Sequence, residues 1–87
     1  ISITNPVKYY AYILKSKKTD RYYYGSTSDL EQRLKIHNSG KVRSTKGGCP
    51  WLLHYFECFT SRREAMRRER FFKSIDGYLW LKRSDII

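Results

Sequence analysis

Aromatic and β-branched residues fill Lys8 to Leu14 (KYYAYIL), which predicts a β-strand. Strand alternation puts Tyr10, Tyr12 and Leu14 on one face and Tyr9, Ala11 and Ile13 on the other. The polar stretch Lys15 to Asp20 reads as a turn, after which Arg21 to Gly25 pairs back as a second strand. Then the period changes. Leu30 and Leu34, one helical turn apart, mark the buried stripe of a helix that runs to about His37. Ser28 is its expected cap, with Glu31 reaching back in a capping box, and Asn38-Ser39-Gly40 ends it. A basic loop, Lys41 to Pro50, leads into a third strand, Trp51 to Phe59. Thr60-Ser61 with Glu64 caps a second helix through about Ser74, whose apolar stripe is Ala65, Met66, Phe72 and Ile75. Asp76-Gly77 breaks that helix before a short last one over Gly77 to Ile87.

Length and composition narrow this picture. Residues 1–7 read as a short disordered lead and residues 8–87 as one domain, since a chain of 87 residues supports a single thin core. With 40% apolar residues and 16% aromatics it is too hydrophobic for a disordered basic tail. Charge points to the partner. Eighteen Lys and Arg stand against eight Asp and Glu, a net +10, and a field of that sign draws polyanions. Solubility alone would explain surplus lysine. Eight tyrosines interleaved with arginines suit base stacking and phosphate contact better. A membrane surface is the minor rival, weakened by the lack of a sustained basic amphipathic helix. No apolar run near bilayer length and no signal peptide is seen, so the expected location is cytoplasmic with Cys49 and Cys58 reduced. Neither the cysteines nor His37 and His54 form a zinc pattern.

Helical spacing singles out three reactive residues. Arg33 and His37 are one turn apart and fall between Leu30 and Ile36, toward the sheet. A plainer reading makes them edge residues, with Arg33 paired to Asp29. Glu69 falls between Ala65 and Met66, opposite Arg63, Arg67 and Arg70. A carboxylate against a core stripe is costly unless it is paired or holds a metal. Its plainer role is a salt bridge to Arg33 or Lys73.

The ordered set Tyr10-Ala11-Tyr12, Tyr23-Tyr24-Gly25, Ser26 to Leu30, Arg33 and His37 to Gly40 resembles a GIY-YIG nuclease domain. Thr45-Lys46, Pro50-Trp51, Tyr55 to Glu57, and Glu64-Ala65 through Glu69 and Lys73 resemble its small, single-domain bacterial branch. The resemblance spans Tyr9 to Leu81 and implies an α+β fold, a three-stranded antiparallel sheet flanked by helices. It implies catalytic roles for Tyr12, Tyr23, Arg33 and His37, with Glu69 holding Mg²⁺ or Mn²⁺. The chain departs from the pattern where Tyr10, Ala11 and Tyr24 replace the glycine and isoleucines of the two tripeptides. Ser26 stands where repair nucleases carry lysine, and no asparagine follows Glu69.

The implied activity is metal-assisted hydrolysis of a phosphodiester in DNA, with a role in repair or processing. Tyr23 would take a proton from the attacking water, directly or through Tyr12 or His37, and Arg33 would stabilise charge on the phosphate. Lys41, Arg43, Lys46 and Arg62 would hold flanking phosphates without reading bases. All five chemical residues are expected around one cleft on the sheet. Rival readings are a binding module of the same fold without turnover, and a subunit whose protein partner supplies the target. The residues leave DNA against RNA open, as they do single-stranded or branched against linear substrate.

Overall fold

A computed structural model describes residues 7–87. The predicted lead therefore lies almost wholly outside the described residues. Three strands, β1 (Tyr9–Ser16), β2 (Tyr22–Thr27) and β3 (Trp51–Phe59), form one antiparallel sheet in the order β2-β1-β3. Around it lie α1 (Leu30–Asn38), α2 (Arg62–Phe72) and α3 (Ile75–Arg83).

Because β1 is central, both of its faces are covered, and Ala11 to Leu14 are buried without a break. Ala11 and Ile13 pack on Phe72 of α2 and Leu81 of α3. Tyr12 and Leu14 pack on Trp51, with Leu30 and Leu34 of α1 beside them. The alternation predicted for Tyr9 to Leu14 thus sorts the core into an α2–α3 side and an α1 side. Fully burying a side chain such as Phe72 contributes about 1.5–3 kcal/mol, so each side rests on only a few large residues.

Local signals explain most element ends. Ser61 caps α2 by accepting from the Glu64 N–H, and Ser74 caps α3 by accepting from Gly77 N–H. For α1 the cap is Asp29, which accepts from Gln32 N–H, and not Ser28 with Glu31. Thr27 explains the shift, because its hydroxyl takes the Asp29 N–H and fixes the entering turn one residue later. The second helix ends at Phe72 rather than Ser74, and α3 starts at Ile75, two residues before the expected Gly77, and ends at Arg83 rather than Ile87. Met66 and Ile75, expected in the α2 stripe, are exposed. Ile75 starts the next helix after the chain has turned, so the spacing that carried it onto the stripe no longer applies.

Candidate active site

Gly25 is the geometric key. It sits opposite Tyr12 across β1–β2, and a Cβ built there would lie 2.4 Å from the Tyr12 hydroxyl. Lacking a side chain, Gly25 lets the phenol of the buried central strand lie across the edge strand. The Tyr12 hydroxyl reaches His37 Nε2 at 3.2 Å, while His37 Nδ1 is 2.9 Å from Thr45 Oγ1. Thr45 can direct its own proton to the Val42 carbonyl. That assignment puts the imidazole proton on Nδ1 and leaves Nε2 to accept from Tyr12. His37 and Thr45 are both buried, and this chain satisfies their polar atoms.

Tyr23 completes the aromatic floor. Its ring centroid is 4.7 Å from that of His37 and 6.3 Å from that of Trp51. Trp51 is fixed in turn by its indole N–H on the Thr45 carbonyl, and by Asn38, whose amide bonds both backbone groups of Trp51. The end of α1 and the loop after it are thereby tied to the start of β3.

Electrostatics gather at Tyr12. Burial, with help from Tyr23 and Glu69, holds its proton well above the ordinary phenol range, and Arg33 opposes that shift. Burial also lowers the pKa of His37 below its usual value, and Arg33 adds to the effect. A neutral imidazole thus faces a protonated phenol. Arg33 itself is exposed rather than packed against the sheet, near enough to act on both Tyr12 and His37, and no ion pair to Asp29 occurs among the described residues.

Glu69 approaches from the other side. Ser26, one residue beyond Gly25, pairs with Ala11 and so points toward α2. Its hydroxyl donates to Glu69 Oε1 at 2.7 Å, and Lys73 Nζ binds Oε2 at 2.7 Å. Tyr12, Tyr23 and His37 therefore share the α1 side, whereas Glu69 reaches the constellation from the α2 side. The two halves meet across β2 at Gly25 and Ser26, rather than in a cleft on one face. Of the two plainer partners considered for Glu69, Lys73 is the one present. No group of three or more His, Cys, Asp or Glu side chains suited to a metal occurs among the described residues. One carboxylate with open positions for water and phosphate oxygen still fits a hard ion such as Mg²⁺, and Glu69 could supply it.

The basic residues do not form a single patch. Lys41, Arg43 and Lys46 are exposed on the loop that Ser16 anchors through its hydroxyl on the Gly48 carbonyl, at the end of β1. Arg62 stacks on Tyr9, at the opposite end of that strand, with its guanidinium 4.9 Å from the ring centroid. An open cleft of about 600 Å³ between the loop and β2 is lined by Arg21, Tyr22, Tyr23, Ser44 and Trp51. Arg21, Ser26 and Thr45 were absent from the expected site. Ser26 and Thr45 both lie within the stretches that carry the resemblance, but only the fold gives them partners.

Two tyrosines, an arginine, a histidine and a glutamate near a strand-edge glycine, in a small α+β domain, are the pattern by which the chain resembles a GIY-YIG catalytic domain. The description of that domain matches residues 8–76, and the chain belongs to the GIY-YIG family. Its relatives within that family are UPF0213 proteins. One from Bacillus licheniformis is 44% identical over 68 residues, covering 77% of this chain and 69% of the relative. One from Staphylococcus haemolyticus is 42% identical over 76 residues, covering 86% and 92%. The solution structure of a UPF0213 protein from Bacillus halodurans matches with a TM-score of 0.50 at 36% identity, covering 85% of this chain and 81% of that one. The family is one of endonucleases, which in general act on DNA and depend on divalent metal. No helix among the described residues is long and apolar enough to cross a membrane.

Proposed function

We propose that the chain is a cytoplasmic, metal-dependent endonuclease that hydrolyses DNA phosphodiesters with low sequence specificity, in repair or processing. The observation that carries this reading is the Tyr12–His37–Thr45 hydrogen-bonded chain with Tyr23 and Arg33 beside it. Packing alone does not call for such a chain in so thin a core.

Tyr23 stands as the group that takes a proton from the attacking water, giving up its own phenolic proton toward Tyr12 or His37 in the same step. Tyr12 holds its own proton, so it can pass a proton on only by giving that one to His37 Nε2. His37 can receive it because burial and Arg33 keep the imidazole neutral. Thr45 fixes the ring so that Nε2 faces Tyr12. As the water oxygen bonds to phosphorus and the leaving oxygen departs, Arg33 stabilises charge on the non-bridging oxygens. Glu69 would hold Mg²⁺ or Mn²⁺, which when bound supplies Lewis-acid stabilisation of the leaving oxygen. Lys41, Arg43, Lys46 and Arg62 hold the substrate backbone on either side.

The test is incubation with end-labelled single-stranded, duplex, flap and branched DNA, and with RNA, in Mg²⁺, Mn²⁺ or EDTA. Cleavage of at least one DNA in metal and none in EDTA is expected. If every substrate is bound but stays intact in both metals, the chain is a binding module on this fold.

A further inference from the structure

We propose that Lys73 is a resident cation on the metal-holding carboxylate, so that metal uptake at Glu69 is an exchange in which the ammonium leaves. The inference rests on the reading of Glu69 as the metal-holding group and adds how that group is kept and released.

The two oxygens of Glu69 are held differently. Oε1 accepts from Ser26 Oγ at 2.7 Å, and Ser26 is a partly buried residue of β2. Oε2 takes Lys73 Nζ at 2.7 Å. Lys73 is the cap residue just beyond α2, and its side chain is 52% exposed against 22% for Glu69. The serine contact joins a strand to a helix, so it persists as long as the fold does. The lysine contact joins neighbours one turn apart on a flexible stem facing water, the kind of pair that contributes little and opens readily. One oxygen is fixed in orientation and the other is reversibly occupied.

This arrangement solves a problem at the edge of the sheet. A carboxylate that is only one-fifth exposed, and close enough to raise the pKa of Tyr12, carries an unfavourable charge without a cation. Lys73 provides one in the absence of metal. Because Ser26 keeps Oε1, release of Oε2 by Lys73 leaves the carboxylate already turned for a one-oxygen metal contact. Ser26 is thus a positioning residue, and Lys73 sets the metal concentration at which the site fills.

The experiment is a Mn²⁺ titration of the full chain without nucleic acid, following free Mn²⁺ by its electron paramagnetic resonance signal. Lys73→Met should tighten Mn²⁺ binding by about three- to tenfold, the scale of an exposed ion pair plus the repulsion it leaves behind. Ser26→Ala should weaken it, and Glu69→Gln should abolish it. Lys35→Met, an equal change of net charge on the exposed face of α1, should leave it unchanged. Thermal melts of each variant exclude unfolding as the cause. A Lys73→Met titration that overlays the parent overturns the exchange, as does equal tightening by Lys35→Met. Parent binding that survives Glu69→Gln puts the ion elsewhere and overturns the metal role of Glu69 together with this inference.

Discussion

At the scale of single residues, the site is built by what Gly25 lacks. Gly25→Ala would drive a methyl group into the Tyr12 ring and hydroxyl, which the surrounding core leaves no room to withdraw. The expected outcome is loss of any cleavage with a lowered melting temperature, whereas Tyr12→Phe, which keeps the ring but leaves His37 Nε2 unpaired, should cost about 1–3 kcal/mol of stability. His37 makes a pH prediction. Its pKa in the fold is lowered from 6.5, so between the two values the unfolded chain binds more protons than the native one. Its contribution to stability is complete above pH 6.5 and is lost progressively as the pH falls from 6.5 through the lower pKa it has in the fold. Melts from pH 8 to pH 5 should show the parent weakening below about 6.5, and His37→Gln should weaken less over that span. An unchanged slope in the variant would remove His37 from the titration. Strand alternation and helical spacing gave the faces on which Tyr12 and His37 lie, while their candidate roles came from the resemblance. Thr45 was not, because it lies in a loop whose path no periodicity records.

Among the elements, the strands were readable because the signal is dense: β1 and β3 are nearly continuous runs of aromatic and aliphatic residues, whereas the place of β3 beside β1 is set by the fold. The helix junctions were less so. Asp76-Gly77 looks like a helix break, yet Gly77 is buried in α3, where an added Cβ would lie 1.7 Å from the Phe71 carbonyl oxygen. The glycine serves close approach of α3 to the end of α2, a tertiary requirement that mimics a local stop signal. Gly77→Ala separates the two explanations. Intrinsic helix propensity alone would make alanine better by about 1 kcal/mol. The contact with Phe71 instead predicts a clear loss of melting temperature, with Leu81 and Phe72 no longer packed together. A rise in melting temperature would show that the junction can relax. The α1 cap was displaced for a related reason, since the Thr27–Asp29 turn decided between two adjacent capping residues.

Across the whole molecule, net charge is the property most directly read from sequence, and its distribution is what the fold adds. With cations at both ends of β1 and the reactive groups near its middle, a strand of nucleic acid would be held by its backbone on either side of the site. If about four to six phosphates are contacted, log K against log salt should slope between roughly −3.5 and −5.5 on duplex DNA. Lys41→Ala should weaken binding and reduce that slope by about one unit. A flat response to salt would place recognition in base contacts instead.

On the proposed reading, Glu69 joins the Tyr12, Tyr23, Arg33 and His37 cluster as its metal-holding member. The most direct measurement is cleavage and gel shift of the same labelled DNA, in Mg²⁺, by the parent and by Glu69→Gln. The amide keeps the shape and can still accept from Ser26, but it lacks the charge that holds a hard cation. The variant should therefore bind DNA nearly as the parent does, melt at a similar temperature and cut nothing. Cleavage by Glu69→Gln at the parent's rate would contradict the assignment and direct the search for the metal carboxylate to Glu64.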